Sequence, residues 1–280
     1  MALAGATLVS AAAVAAIFGF LAYFCLPLLR EGQLGPLLSW SWRPFQGEFG
    51  ILPMALGTLL LSTSAMGIAF PLGLGICGFA HGVGPRWLGN LVLRVVYLMT
   101  GIPTVVYGFV SVFLLVPLVR GAFAGTTGFS WLAAAVTLAL LVVPTVVLLV
   151  DAQLRQVEPG VRLGAASLGL SPAQQFLWVL LPASSRGLLI AALLGFGRAA
   201  GDTLISLMVA GNATHVPTSP LDALRTLTAH IALVLSTDPT SATYRSLFLC
   251  GLILFAVSTL VNLGLRRLAG GSPSAGSRPR

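Results

Sequence analysis

The sequence lacks lysine altogether and carries little charge of either sign. Charged side chains make up 8% of its 280 residues, whereas soluble globular domains average about 25%. Hydrophobic residues make up 57%, and the mean hydropathy is +0.97. This balance excludes a disordered chain, a nucleic-acid-binding arm and an ordinary soluble domain. It indicates a protein that crosses a membrane several times.

Cysteine is scarce as well. Cys25, Cys77 and Cys250 all lie in apolar stretches, where an unpaired cysteine behaves as a small buried hydrophobic residue. The three histidines lie far apart in the sequence and lack the spacing of metal ligands. We therefore expect no disulfide framework, no bound metal and no cofactor.

The absence of lysine also bears on the source of energy. The phosphate-binding loop of many ATPases, GxxxxGK[ST], uses its lysine to reach the nucleotide phosphates, and this chain has no lysine to supply. If ATP drives the protein, a separate subunit must hydrolyse it. The chain itself is expected not to be an enzyme.

Long uncharged runs predict the membrane-spanning segments. A helix needs about 20 apolar residues to cross the hydrocarbon core, and six runs qualify. We therefore predict an all-α integral membrane protein with six transmembrane helices. The first lacks the positively charged start of a secretory signal, so we expect it to be retained. The predicted spans are residues 8–29, a part of 49–80, 95–119, 130–150, 187–211 and 246–265.

The arginines predict the orientation, because cytoplasmic loops carry the excess of positive residues. With a cytoplasmic N-terminus, nine arginines fall on the inner side and five on the outer side, while Arg198 falls inside the fifth span. We expect a multi-pass protein of the cell (inner) membrane with both termini in the cytoplasm.

Arg198 and Asp202 are the only charges inside a predicted span. Their spacing of four places them on one face of a continuous helix, and Gly195 and Ser206 extend that face. A charge inside the membrane costs about 2.5–3.5 kcal/mol on insertion scales. The pair is either a neutralising contact that fixes helix packing or a transport site. In a transport site the guanidinium binds a passing anion, and Asp202 holds it when the pathway is empty.

The segment between the fourth and fifth spans, residues 151–186, is amphipathic and lies on the predicted cytoplasmic side. Apolar side chains on the water side favour short helices that dock on a partner, or helices that lie at the membrane interface. The apolar residues are Leu163, Leu168, Phe176, Leu177, Val179 and Leu180.

Within this segment, Gly169 is followed after nine residues by Val179-Leu180-Leu181-Pro182. This spacing fits the pattern G-x9-I-x-LP, and this part of the chain resembles the EAA loop of ABC importer permeases. The resemblance implies a type I ABC importer permease fold, with coupling helices between helices 4 and 5 that dock on an ATPase. Leu163, Gly164 and Ala165 stand where the family has Glu-Ala-Ala. The residues it implies for coupling to the ATPase are Leu163, Gly164, Ala165, Gly169, Leu181 and Pro182.

Other segments resemble the phosphate-specific (Pst) permeases, the PstC type more than the PstA type. These segments are residues 49–53, 57–59, 101–108, 198–203, 208–212 and 225–232, within a resemblance that covers about residues 40–268. The resemblance implies a permease subunit of an ATP-driven phosphate importer. Such a subunit forms the pathway with a second permease subunit, receives phosphate from a periplasmic or surface-anchored binding protein, and is driven by a cytoplasmic ATPase.

The resemblance also implies roles for particular residues. Arg198 corresponds to the family's functional arginine and Asp202 to its acidic partner, with aspartate in place of glutamate. Thr203 and Ser206 extend the predicted substrate pathway. Pro103 and Thr104 mark a predicted bend that lines it.

The resemblance divides the chain into three predicted parts. Residues 1–48 form the first transmembrane helix and an external loop, residues 49–268 form the permease domain, and residues 269–280 form a disordered cytoplasmic tail. Three alternatives stay open: a permease for another oxyanion such as molybdate, sulfate or phosphonate, a channel or ion-coupled carrier without an ATPase, and a membrane scaffold.

Overall fold

A computed structural model describes residues 2–30, 34–238 and 241–270. The described chain is almost entirely helical, with a single short β-hairpin, Trp42–Arg43 (β1) and Glu48–Phe49 (β2), among the described residues. Residues 271–280 lie outside the described part, so the prediction of a disordered tail is not tested. The last helix extends to Gly270.

The helices follow one another with few long connections. Two π-helical segments, Phe79–Val83 and Gln175–Leu180, interrupt the α-helical order. The α-helices are α1 (Ala2–Arg30), α2 (Leu34–Leu37), α3 (Leu52–Gly78), α4 (Arg86–Met99), α5 (Thr104–Phe113), α6 (Leu115–Ala122), α7 (Trp131–Ser167), α8 (Pro172–Gln174), α9 (Leu181–Ala183), α10 (Ser185–Ala200), α11 (Leu204–Val209), α12 (Leu227–Val234) and α13 (Ala242–Gly270).

The predicted number of membrane crossings agrees with the structure. Among the described residues, five helices are long and apolar enough to span: Gly5–Leu26, Leu52–Val83, Thr104–Ala122, Trp131–Ser167 and Thr243–Gly264. The pair Pro172–Ala183 and Ser185–Ala200, which is bent by 74° at the intervening residue, brings the number to six if it is counted as one span. The number of apolar helices therefore agrees with the six-helix membrane fold.

The predicted start of the third span is wrong. Residues 95–99 belong to α4, which ends at Met99, and the spanning helix begins anew at Thr104. Pro103 is the residue before this helix; it has no backbone N–H to donate and disfavours a helical conformation in the residue that precedes it. The apolar run therefore continues through a break that hydropathy does not detect.

The chain divides into two compact units. One combines the helices before Ile68 with Ile102–Val142 and Arg198–Ala256. The other combines Ala69–Gly101 with Val143–Gly197 and the end of α13 from Val257. In the first unit, an apolar cluster joins side chains from α1, α2, α3, α12 and α13. Its buried members are Cys25, Leu37, Ile51, Met54, Leu227, Phe248, Leu249 and Cys250.

Two of the cysteines, Cys25 and Cys250, lie buried in this cluster, and Cys77 is buried elsewhere. All three are unpaired thiols, as the sequence predicts. Among the described residues, no group of histidine, cysteine or acidic side chains could hold a metal ion.

The second unit carries the segment between the fourth and fifth spans, and its helical arrangement differs from the prediction. The fourth helix does not end at Asp151 but continues as α7 to Ser167. The chain then turns at Gly169, whose φ of 72° is a left-handed conformation suited to glycine. Ser171 begins the next helix with a capping box to Gln174. In place of the expected short helices, the segment consists of a long extension of α7 followed by one short helical arm.

Candidate functional site

The fifth crossing is broken at the predicted charged pair. Helix α10 ends at Ala200, and α11 begins at Leu204. Asp202 Oδ2 accepts a hydrogen bond of 2.9 Å from the backbone N–H of Ile205, so this carboxylate caps the first turn of α11. The expectation of one continuous helix with both charges on a single face is wrong, because aspartate stabilises a new helix start at this position.

Arg198 lies in the last turn of α10, and its side chain is exposed on this chain. The end of a helix carries partial negative charge, which favours a cation there, and the start carries partial positive charge, which favours an anion. Arg198 and Asp202 thus each complement a different helix end. Discontinuous membrane helices place ion-binding groups in the same way.

The structure does not join these two charges. Within the described part of the chain, the ion pairs involve Asp151 and Glu158, and none connects Arg198 to Asp202. The two side chains form no salt bridge, although Asp202 and Tyr107 of α5 both lie within the electrostatic range of the guanidinium. That Asp202 holds Arg198 when the pathway is empty stays a prediction.

A network of hydroxyl groups surrounds the break. Ser206 Oγ donates to the Thr203 carbonyl at 3.0 Å, and Thr226 Oγ1 donates to Ser206 Oγ at 3.0 Å. Thr228 Oγ1 donates to the Asp202 carbonyl at 2.9 Å. Ser206 is only 1% exposed, so in this state its hydroxyl is hydrogen-bonded to protein groups and does not face an open cavity. The pathway roles of Thr203 and Ser206 stay predictions.

The predicted bend at Pro103 and Thr104 coincides with the start of α5. Helix α5 packs closely against α11 where a Cβ on Gly108 would lie 2.8 Å from Met208 Sδ. The bend and the broken crossing are therefore parts of one packed arrangement in the first unit. That Pro103 and Thr104 line the pathway stays a prediction.

Arg225 is a second cation with no carboxylate partner among the described residues. Its Nε donates to the Asn212 carbonyl at 3.0 Å, and burial lowers the pKa of this guanidinium. Asn212 Oδ1 is buried without a hydrogen-bond partner. The segment after Arg225 enters α12, where burial lowers the pKa of His230 to about 3, so that histidine stays neutral.

A compact charged cluster lies in the second unit, and we call it the Asp151 cluster. His81 Nε2 lies 2.6 Å from Asp151 Oδ1, and Arg155 Nε lies 2.8 Å from Asp151 Oδ2. The Tyr97 hydroxyl also donates to Asp151 Oδ2. The second ring nitrogen of His81 lies 3.4 Å from Glu158 Oε2. Three different structural elements therefore meet at one buried carboxylate.

The predicted coupling residues lie around the turn in the second unit. Leu163 is 78% exposed, whereas Ala165 is buried at 4%. Gly164, Gly169 and Pro182 are exposed. Leu181 lies partly buried beside a cavity of about 420 Å³ that is bordered by apolar side chains including Phe79 and Phe176. The exposed apolar surface suits a partner, while the role in coupling stays a prediction.

Sequence patterns missed the Asp151 cluster and the hydroxyl network. His81 and Asp151 are separated by 70 residues, so spacing rules cannot bring them together. The available signal was weak: Asp151 and Glu158 lie seven apart, which is two turns of a helix. The threonines at 226 and 228 lie in a segment that the sequence places outside the membrane.

The fold and the site define a helical membrane transport protein with a broken crossing. The family described as "Binding-protein-dependent transport system inner membrane component" matches residues 69–270. The match covers well over half of the chain, and the chain belongs to this family. It is a multi-pass membrane protein and a permease subunit rather than an enzyme, and the ATPase of such importers is a separate subunit.

Several curated relatives are similar over most of their length. The "Probable ABC transporter permease protein YqgH" of Bacillus subtilis is 33% identical over 83% of this chain and 76% of its own. The "Phosphate transport system permease protein PstC" of Xylella fastidiosa (strain Temecula1) is 31% identical over 82% of this chain and 78% of its own. The protein of the same name from Mesorhizobium japonicum is 30% identical over 80% of this chain and 75% of its own.

Two solved structures share the fold. The MetNI methionine ABC transporter in an inward-facing form matches with a TM-score of 0.59 and 18% identity over 78% of this chain and 95% of its own. A bacterial ABC transporter that imports the acidic polysaccharide alginate matches with a TM-score of 0.59 and 14% identity over 96% of this chain and 99% of its own. These similarities establish the ABC importer permease fold.

Proposed function

We propose that this chain is the PstC-type permease subunit of an ATP-driven phosphate importer. Relatives that carry the name of phosphate transport permeases cover most of the chain at about 30% identity. The observation that carries the substrate class is Arg198, an exposed guanidinium at the broken crossing that forms no salt bridge within the described chain. Its planar fork matches two oxygens of a tetrahedral oxyanion.

The partners follow from this function. A phosphate-binding protein delivers the anion to the outer face, and a second Pst permease subunit completes the pathway on the side of Arg198. A cytoplasmic ATPase docks on the coupling segment, which we define as residues 163–182. The exposed apolar residues Leu163 and Leu168, 78% and 79% exposed, support such docking, because a partner would remove them from water.

The proposed orientation has both termini in the cytoplasm. The excess of arginines on one set of loops supports it, and it places the coupling segment and the Asp151 cluster on the inner side. In this orientation Thr226 and Thr228 of the hydroxyl network belong to the segment on the outer side. Cysteines introduced singly into loops and labelled from each side of the membrane test this topology.

The proposed step at Arg198 is electrostatic and involves no chemistry on the substrate. Phosphate leaves water only if fixed charges and donors replace its hydration. Arg198 supplies a permanent positive charge at the end of α10, and the absence of a tight bond to Asp202 leaves it free to bind and release. Access then changes as ATP binding moves the coupling segment.

Replacing Arg198 tests this function. We expect Arg198→Ala to lower phosphate uptake by about a hundredfold, because a bidentate, charge-assisted contact is lost, while the complex still assembles in the membrane. Uptake of labelled phosphate into proteoliposomes that contain the complete complex provides the measurement. Arg43→Ala, which removes an exposed arginine that contacts Gln46, is the matched control and should retain normal uptake.

Two outcomes would contradict the proposal. Normal phosphate uptake by the Arg198→Ala complex would show that Arg198 does not bind phosphate in the pathway. Preferential uptake of sulfate or molybdate by the unaltered complex would retain the site and assign it to another oxyanion.

A further inference from the structure

The segment between α11 and α12 carries a half-buried arginine that has no counter-ion in the described chain. Arg225 Nε donates to the Asn212 carbonyl at 3.0 Å. Within the described residues, neither Nη of Arg225 forms a hydrogen bond, and no carboxylate forms a salt bridge with it. A guanidinium has several N–H donors in a planar fork, so most of the bonding capacity of Arg225 is unused in this state.

The acidic side chains of the neighbouring segments are bound to backbone groups. Asp222, three residues before Arg225, accepts at Oδ2 from the N–H and the hydroxyl of Thr218 and from the N–H of Ser219, at 2.7, 2.9 and 2.8 Å. Asp202 caps the first turn of α11. Each carboxylate therefore stabilises a local turn of the backbone, and neither pairs with the arginine.

Burial makes this positive charge costly. It lowers the pKa of Arg225, because the charged form loses hydration. Burial first, and the charge of Arg225 second, lower the pKa of His230 to about 3. A partly desolvated cation without a counter-ion is destabilised, so an anion that binds beside it gains more than it would at a fully hydrated arginine.

The residues on both sides of Arg225 fix its place beside the broken crossing. The N–H of Leu224 donates to the Ala210 carbonyl at 2.9 Å, and Thr226 Oγ1 donates to Ser206 Oγ at 3.0 Å. Ser206 belongs to α11, and Ala210 is the residue that follows this helix. The cation is therefore anchored to the helix that begins at the break.

We propose that Arg225 is a second oxyanion-binding group, which receives phosphate on the outer side of the broken crossing and passes it to Arg198. The inference rests on the proposed function, which supplies the substrate and the orientation. Arg198 belongs to the same compact unit, in the last turn of α10. Sites in series that each hold an ion weakly let it enter and leave. Arg225 thus governs the entry of phosphate, and Arg198 its passage.

Two substitutions separate the charge of Arg225 from its hydrogen bond. Arg225→Gln removes the charge but places an N–H where Nε was, so the bond to the Asn212 carbonyl can persist. Arg225→Lys keeps the charge and has no donor at that position. Uptake of labelled phosphate and ATP hydrolysis stimulated by the binding protein are measured in the same proteoliposomes, which contain the complete complex.

We expect Arg225→Gln to lower phosphate uptake about tenfold, the size of effect expected when a charged hydrogen-bonding partner is lost, while stimulated ATP hydrolysis persists. Arg225→Lys should retain more uptake than Arg225→Gln, because the anion still meets a positive charge. A purely structural role of the bond to Asn212 would give the opposite order.

Arg120→Gln is the matched control. Arg120 also lies at the proposed outer side, and its Nε likewise donates to a backbone carbonyl, that of Thr127, at 2.8 Å. Its side chain is exposed, so its charge is hydrated and screened by salt. The same loss of one positive charge should leave phosphate uptake unchanged at this position.

A second pair of variants tests the site without altering Arg225. Asn212 has a left-handed φ of 58°, a conformation that glycine and aspartate also adopt. Asn212→Asp and Asn212→Gly both remove the bond from Nδ2 to the Leu207 carbonyl, and only the aspartate adds a negative charge to the residue that Arg225 contacts. Because that carboxylate competes with phosphate for the guanidinium, uptake should fall severalfold in Asn212→Asp and stay close to normal in Asn212→Gly.

The outcomes separate this inference from the proposed function. Normal uptake in Arg225→Gln, or lower uptake in Arg225→Lys than in Arg225→Gln, would overturn the inference. If both arginine variants fail alike or do not assemble, the Asn212 pair decides: a fall confined to Asn212→Asp supports the site, and equal uptake by the two variants overturns it. If the unaltered complex carries sulfate instead of phosphate, the proposed substrate is wrong, and uptake of labelled sulfate by the same variants then tests Arg225.

Discussion

Two aspartates in apolar parts of the chain, Asp151 within α7 and Asp202 between α10 and α11, are stabilised in opposite ways. Asp151 accepts hydrogen bonds from His81, Tyr97 and Arg155, which belong to three different elements. The Asp202 carboxylate accepts a hydrogen bond from the backbone of its own chain segment, at the N–H of Ile205, and forms no salt bridge with the neighbouring Arg198. The first carboxylate connects helices, whereas the second ends one helix and begins another.

This difference separates two uses of charge in a membrane protein. A carboxylate with several donors fixes the geometry of the elements that supply them, because leaving any buried donor without its acceptor is costly. A cation whose acidic neighbour is occupied by a backbone cap keeps its own bonding capacity for another molecule. The Asp151 cluster therefore has the character of a structural joint, and Arg198 that of a binding group.

The largest expected effect comes from removing the Asp151 carboxylate. Asp151→Ala leaves His81, Tyr97 and Arg155 without their common acceptor, and we expect a loss of about 3–5 kcal/mol in stability. Thermal unfolding of the purified complex in detergent measures it.

The control for this variant is Glu48→Ala, which removes an exposed carboxylate bonded to Ser41 and should change stability by less than about 1 kcal/mol. Equal effects of the two variants would mean that the Asp151 cluster does not join its helices.

A smaller effect should follow from disturbing the backbone around the broken crossing. Gly57 of α3 faces the carbonyl of Arg225, and a Cβ at this position would collide with that backbone atom. We expect Gly57→Ala to destabilise the chain by about 1–3 kcal/mol, because a carbonyl in a packed segment cannot move aside easily.

Gly67→Ala provides the matched control, since it lies in the same helix and, apart from its chain neighbours and its own helix backbone, no atom of the described chain would lie within 4 Å of its Cβ. Its stability should be unchanged or slightly higher. If both variants are equally stable, the region around Arg225 is looser than its contacts indicate.

The smallest effect distinguishes a helix cap from an ion pair. Asp202→Ala should cost about 1 kcal/mol because the N–H of Ile205 loses its acceptor, while Asp202→Asn should cost little, since asparagine caps nearly as well. Unfolding of both variants, together with phosphate uptake, gives the measurement. Uptake that fails in Asp202→Asn despite normal stability would show that the negative charge itself is required, as a pair with Arg198 would demand.

The sequence predicted the membrane fold well because hydrophobic length is a local property. Runs of apolar residues identified the crossings without knowledge of their neighbours. The errors occurred where one residue redirects the backbone within an apolar run. Pro103 starts a new helix inside the third predicted span, and Asp202 caps a new helix inside the fifth. Hydropathy does not register either event.

The site was predicted in part. Arg198 was identified because a permanent charge inside an apolar segment is conspicuous. The position of Arg198 relative to Asp202 was not predicted correctly, since a spacing of four implies contact only if the helix is continuous. His81 was considered from the sequence only as a metal ligand, and that role was rejected on spacing, whereas in the structure it contacts two carboxylates of α7.

The amino-acid sequence by itself determined that this chain is a membrane protein, how many apolar segments it has, and which arginine lies inside a predicted span, because each depends on residues close together in the chain. Only the tertiary structure decided which charges are held and which are left available. Hydrogen bonds act over about 3 Å. His81 and Asp151 are 70 residues apart in the sequence, and only the packing of the helices brings their atoms within that distance.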